Sequence, residues 1–189
     1  TGERSNSIKA IFGIILFLSI IDIIKFRIKI LVFFILIGSI VLIISNSNYL
    51  KNRYYGQLYK EAFINKDSKF FKENIYVKIY NSGYKVFKNS PLFGVGNKNY
   101  RVETCGEEAV KFDYYCTTHP HQIYLEFLSE HGLIGTTILL LTFFILIFQN
   151  LKVIILSQNY IQIGALLYLL STFLPLIPSG SFFTDFNIT

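Results

Sequence analysis

Histidine and cysteine are scarce in this chain of 189 residues, which has three of the first and two of the second, and it has no tryptophan or methionine at all. His119, His121 and His131 with Cys105 and Cys116 form no HExxH helix and no cysteine pair at x2 spacing. The ligand patterns of a zinc site are therefore missing, and no metal or other cofactor is expected. The Gly94-Val95-Gly96 turn lacks the third glycine, the preceding strand and the following helix of a dinucleotide fingerprint, which leaves a tight turn after Pro91. No internal repeat, low-complexity tract or signal peptide is visible in these residues. Without tryptophan, and rich in Ile, Lys and Asn, the composition reads as the codon bias of an AT-rich genome. Thr1 opens the chain with no initiator methionine, so the expectation is a fragment of a longer polytopic protein.

What the chain does have is apolar surface. It is 52% hydrophobic and 17% aromatic, with a mean hydropathy of +0.44. A soluble domain of this length rarely carries so much, so the composition points to an all-α membrane protein. Crossing a hydrocarbon core of ~30 Å takes roughly 20 apolar residues at 1.5 Å each. Four segments qualify: residues 8–24, 28–45, 133–148 and 160–178. The piece 153–157 is too short to cross, and either extends the third span or turns in the interface. The spans carry almost no polar groups, Asp22 and Gln162 lying near their ends, which argues against a transport pathway.

The formal charge is +6. Its Lys and Arg are scattered between hydrophobic spans instead of clustered, so anionic lipid headgroups or lipid-linked phosphates are the expected partners, and nucleic acid is not. Lys25, Arg27 and Lys29 crowd the connection between the first two spans, and Lys152 lies between the third and fourth. The excess of positive charge places both connections in the cytoplasm. Three regions follow: two membrane helices in 1–45, a large, partly helical periplasmic loop in 46–132, and two further helices in 133–189 with an outward-facing end.

Within that loop, Phe71, Ile75, Ile79, Val86 and Phe87 repeat at helical spacing over 68–89, with an interruption at Gly83. Residues 97–118 read as irregular, and 122–131 as a short helix with Gly132 at its C-cap position. Cys105 and Cys116 are eleven apart; an exported compartment permits a disulfide between them, with two free thiols as the alternative. Glu126 and Glu130 fall four apart on one face of the short helix, by default a solvated one, though either carboxylate could orient an imidazole. Asn187-Ile188-Thr189 reads as a chance glycosylation sequon.

His119-Pro120-His121 is the chemically suggestive element. A proline between two histidines makes a rigid, aimed segment, and the span that follows fixes its depth. A neutral imidazole near its ordinary pKa of ~6.5 can accept a proton from a sugar hydroxyl; a packing or capping role is the competing reading. Arg4, about a turn before the first span, is either a snorkelling charge or a guanidinium placed to grip a diphosphate. Arg53 and Arg101, the only other arginines of the loop, are either surface charges or further phosphate ligands.

These residues resemble a known family. His121-Gln122, nine residues, then Gly132-Leu133-Ile134-Gly135 looks like the histidine motif of bacterial O-antigen ligases and the related O-antigen polymerases. The stretch PLFGVGNKNYR, with Gly94 and Gly96, resembles the PxxGxG turn of that family. TGERSNSI resembles its Arg-x3-Leu motif, with Arg4 as the arginine and Ile8 in place of Leu, and Tyr76 stands where many members carry a second loop arginine. The likeness covers most of the chain, as the C-terminal half of such a protein.

The resemblance implies a metal-independent membrane glycosyltransferase of the bacterial inner membrane, multi-pass, with its active loop facing the periplasm. It would move a glycan from an undecaprenyl diphosphate carrier to a sugar of lipid A-core. Arg4 would bind the diphosphate, His121 would be base or hydrogen-bond acceptor for the attacking hydroxyl with His119 in support, and Arg101, Arg53 and Gln122 would contact substrate. An O-antigen polymerase, with a growing lipid-linked glycan as acceptor, and a protein O-oligosaccharyltransferase fit the same motifs. A non-catalytic transport or anchoring protein is the alternative of another class.

Overall fold

Apolar runs and helix caps account for most of the architecture. The computed structural model describes residues 4–57, 74–175 and 177–182, and among these every regular element is helical. In order they are α1 (Arg4–Ile20), α2 (Phe26–Asn46), a single turn α3 (Asn48–Leu50) running into a π-helical stretch (Lys51–Gln57), α4 (Ile75–Asn89), α5 (Tyr100–Cys105), a 3-10 turn (Glu107–Ala109), α6 (Ile123–Ser157) and α7 (Tyr160–Thr172). The first turn expected for the helix at 68–89, including Phe71, and the sequon at 187–189 lie outside the described residues.

Two helices, Phe26–Asn46 and Ile123–Ser157, are long and apolar enough to cross a membrane. α2 buries none of its residues, and Phe34, Ile35 and Leu42 are all more than 60% exposed. A helix that is apolar all round and unburied needs lipid as its solvent. The expected first and fourth spans form shorter apolar helices. α1 stops at Ile20 instead of continuing to residue 24, and α7 stops at Thr172 instead of 178. Pro175 and Pro178 lack the N–H that a continuing helix requires. Residues 153–157 extend α6, which also places Lys152 inside that helix and not in a connection.

Chain contacts divide the protein into two units: Thr1–Asp67 with Asn150–Thr172, and Ser68–Gln149 with Phe173–Thr189. In the first, α1 packs against α7. Gln158 closes the end of α1: its Nε2 donates to Ile20 O (3.3 Å) and its Oε1 accepts from Asp22 N–H (3.0 Å). The two short connections, around residues 21–25 and 158–159, therefore meet. Asn159 then caps α7 by accepting from the N–H groups of Ile161 (3.1 Å) and Gln162 (3.3 Å). An apolar cleft of about 210 Å³ separates α1 from α2, lined by Ile11, Leu18, Phe33 and Ile40 among others.

In the second unit, Asn74 caps α4 through its side-chain oxygen, which accepts from Tyr76 N–H (2.9 Å). Three polar side chains of α4 then hold the loop that follows α5. Ser82 Oγ accepts from Tyr115 N–H (2.6 Å), Lys85 Nζ donates to Asp113 O and Oδ2 (both 3.0 Å), and Asn89 Nδ2 donates to Tyr114 OH (2.5 Å). Cys105 and Cys116 are joined by a disulfide across the same loop. Residues 97–118 are thus less irregular than their sequence suggests. Tyr100 and Thr104 are buried, one helical turn apart, and with the Thr104 hydroxyl donating to Tyr100 O (3.0 Å) they fold α5.

Candidate functional site

The glycines of two separate stretches build the frame around the histidines. α6 is broken at Gly132, whose φ of 63° and ψ of −168° are not helical. A break in a helix frees carbonyls before it and N–H groups after it, which must find other partners when buried. Four of them find partners in the turn at 91–96. Val95 and Gly96 N–H donate to the carbonyls of Ser129 (2.9 Å) and Glu130 (2.8 Å), while Leu133 and Ile134 N–H donate to those of Pro91 (2.8 Å) and Leu92 (3.2 Å). Gly94, at φ 68°, meets Gly132 backbone to backbone. A Cβ on Gly94 would lie 2.6 Å from Gly132 N, and one on Gly132 would lie 2.5 Å from Gly94 N. Only glycine satisfies both the left-handed conformation and the approach.

Gly135 follows in the helix, where an added Cβ would stand 2.7 Å from His131 Cβ. Gly96 is the laxer member of the turn; its φ is 97°, but the atom nearest an added Cβ is the end of the Asn99 side chain.

α4 splints the histidine segment from another side. Tyr76, Tyr80 and Gly83 share one helical face. A Cβ on Gly83 would lie 3.1 Å from Pro120 Cβ and 3.4 Å from Leu125 Cβ, so the buried proline between the histidines rests on the helix backbone. The interruption expected at Gly83 does not occur. The helix runs through it, and the close contact offsets a propensity cost of about 1 kcal/mol. Near the start of α4 the Tyr76 ring meets the His121 ring edge-on, with centroids 6.3 Å apart.

The two imidazoles lie side by side, ring centroids 4.1 Å apart. Burial, and after it the neighbouring His121, push His119 down to about 4, against an opposing contribution from the Ser179 backbone. His119 is therefore neutral at physiological pH. Its Nδ1 pairs with the Thr118 hydroxyl (3.0 Å), and its buried Nε2 has no hydrogen-bond partner among the described residues. His121 has a left-handed backbone, φ 54°. For a residue with a Cβ that conformation costs about 1–2 kcal/mol and persists only where the surroundings enforce it.

One such constraint comes from residues 177–182, which leave α7 and pack on the start of α6. Ser179 N–H donates to His121 O (2.9 Å). Glu126, one turn into α6 and 1% exposed, accepts from the Ser181 hydroxyl and from Phe182 N–H (2.9 and 3.1 Å to its two oxygens). The Phe182 ring meets Phe127 edge-on at 5.0 Å, and Tyr124 OH donates to Phe173 O (2.6 Å). Glu130, 3% exposed, faces backbone donors at Lys98 and Tyr100. The solvated face expected for the two glutamates is thus corrected: both are buried, with donors supplied by distant segments.

The other anticipated residues are distributed as follows. Gln122 is buried and caps α6, its Oε1 accepting from Leu125 N–H (2.7 Å). Arg101 is exposed on α5. Arg53 lies over the Tyr49 ring at 6.0 Å and donates to its hydroxyl (3.2 Å). Arg4 is the first residue of α1. Arg4 and Arg53 belong to the first unit, and His119, His121, Gln122 and Arg101 to the second. Among the described residues no three His, Cys, Asp or Glu side chains gather as a metal site.

Three further participants act through contacts that the sequence does not show: Tyr76 as a ring contact of His121, Gly83 as a seat for Pro120, and the Ser179–Ser181 stretch as a brace. Glu126, one of the two carboxylates able to orient an imidazole, is the one bonded to that stretch. Pro178-Ser179-Gly180 signals a turn, but nothing in its composition directs it to His121.

The chain matches the protein-family model described as O-antigen ligase over residues 1–140. No curated protein and no solved structure matches it.

Proposed function

The chain belongs to the O-antigen ligase family, and from that membership we propose that it transfers a glycan from undecaprenyl diphosphate to a hydroxyl of lipid A-core at the periplasmic face of the bacterial inner membrane. In this reaction the bond between the anomeric carbon and the diphosphate oxygen breaks. A bond from the acceptor oxygen to the same carbon forms, the acceptor proton passes to His121, and undecaprenyl diphosphate leaves.

The observation that carries this reading is the lock between Gly94 and Gly132. It joins the two motif-bearing stretches at the break in α6, the helix that begins two residues after His121. An imidazole with its ring partly exposed and its backbone constrained suits a base that must meet a hydroxyl in one orientation. Arg4 would bind the diphosphate and offset charge as it develops on the leaving group, with Arg53 or Arg101 assisting. His119 neighbours the base without adding positive charge. Confinement of donor and acceptor to one leaflet supplies much of the remaining advantage.

The meeting of the connections at residues 21–25 and 158–159 supports a common, cytoplasmic side for both. Lys25, Arg27 and Lys29 favour that side, and a single crossing of the bilayer by α6 would bring its first residues, which follow the histidines, to the periplasmic face.

The test is complementation of a ligase-deficient host with the full-length gene in wild-type, His121→Ala and Arg4→Ala forms, with lipopolysaccharide resolved on a gel. Wild type restores the long-chain ladder and both variants lose it while staying in the membrane. A core band alone with wild type would point instead to a polymerase, and a ladder with both variants would refute the site.

A further inference from the structure

We propose that Glu126 is a positioning residue for His121, acting through the segment 179–182. The inference rests on the reading of His121 as the base and extends that site to a carboxylate that makes no direct contact with the reacting groups.

Three observations carry it. Glu126 is 1% exposed and accepts from the Ser181 hydroxyl and from Phe182 N–H, two neighbours in one short irregular segment. Two residues earlier that segment donates Ser179 N–H to His121 O at 2.9 Å. His121 itself holds a left-handed backbone at φ 54°. A buried carboxylate is costly to leave unpaired, so it grips the segment strongly, and the segment in turn grips the carbonyl next to a strained backbone. Gly180 lies between the two holds and has open space where a Cβ would be.

From the other side, Pro120 rests on Gly83. With both holds in place the imidazole has one orientation. With the brace released, His121 relaxes toward an ordinary φ and its ring turns away from its place beside His119 and Tyr76. Such a displacement lowers the chemical step while leaving acceptor binding to the rest of the site.

The experiment uses the full-length protein in lipid nanodiscs, with undecaprenyl diphosphate-linked oligosaccharide as donor and lipid A-core as acceptor. Wild type is compared with Glu126→Ala, Glu126→Gln, Ser181→Ala and, as control, His121→Ala. Glu126→Ala and Ser181→Ala are expected to lower kcat by about 10-fold to 100-fold, with the acceptor KM within about twofold of wild type. Glu126→Gln keeps an acceptor oxygen for the segment and is expected to recover most of the loss, which general damage to the fold would not allow. Wild-type kcat in Glu126→Ala or Ser181→Ala overturns the proposal, as does a loss carried by KM. If Glu126→Ala fails to accumulate in the membrane, Ser181→Ala alone decides, since it removes a hydroxyl outside the helices. Full activity in His121→Ala would instead refute the base assignment, a result distinct from inactive His121→Ala beside active brace variants.

Discussion

Gly94 and Gly132 lie thirty-eight positions apart, yet each occupies the space that a side chain on the other would need, both with positive φ. Their contact lets the 91–96 turn satisfy four of the backbone groups freed by the break in α6. The break in turn divides the short helix that follows His119 and His121 from the run, residues 133–157, that is long enough to cross a bilayer.

Replacing either glycine with alanine is therefore expected to destabilise the second unit by about 2 kcal/mol or more, through left-handed strain and backbone overlap together. The double variant is expected to cost less than the sum, because both lesions break one contact. Thermal unfolding in detergent, followed by protease resistance of the loop, measures this. Additive losses would show that the two glycines act independently.

Much of this arrangement could be read from the residues. The apolar run at 28–45 became α2 almost to the residue, and Gly132 marked the end of a short helix because a glycine after an amphipathic turn favours the left-handed conformation. The tight turn after Pro91 followed from its glycines in the same way. What escaped depends on partners far along the chain. Glu126 and Glu130 looked solvated because their donors come from residues 181–182 and 98–100. Gly83 looked like a helix breaker because propensity is local, whereas its use as a seat for Pro120 is tertiary. α5 is only six residues long, and the burial of Tyr100 holds it.

Gly83→Ala sets a helix-propensity gain of about 1 kcal/mol against a contact 3.1 Å from Pro120 Cβ. Stability is expected to change little, while a shift of the proline by a few tenths of an ångström lowers activity by about tenfold. Gly83→Val, with a branched Cβ, is expected to abolish activity. Transfer assays beside unfolding curves separate the two effects; full activity in Gly83→Val would show that Pro120 does not need this seat.

The Cys105–Cys116 bridge closes a short loop, separation 11, for which the chain-entropy model gives about 3 kcal/mol. Cys105→Ser with Cys116→Ser is expected to lower the unfolding midpoint. Ser82, Lys85 and Asn89 still hold residues 113–115, so partial activity should survive at low temperature. A midpoint that does not respond to reductant would contradict the bridge.

His119 sets a pH dependence. Its folded pKa, about 4, lies below the ordinary value of 6.5, so the unfolded chain binds more protons between those values. Stability is complete above pH 6.5, declines as pH falls through that window and levels off below about 4. His119→Phe removes the titration, and its unfolding midpoint is expected to depend less on pH from 7 to 4 than that of wild type. Identical slopes would show that His119 is not buried neutral.

Transfer by purified full-length protein is the most direct measurement of the central assignment. Wild type, His121→Ala and Arg4→Ala in lipid nanodiscs are supplied with radiolabelled undecaprenyl diphosphate-linked glycan and lipid A-core, and label reaching the acceptor is counted. Wild type is expected to label lipid A-core, and His121→Ala to fall by at least about 100-fold, the range for loss of a general base. Arg4→Ala is expected to lose most of its activity, with rising donor KM. Undiminished labelling by His121→Ala would contradict the assignment of His121 as the group that receives the acceptor proton.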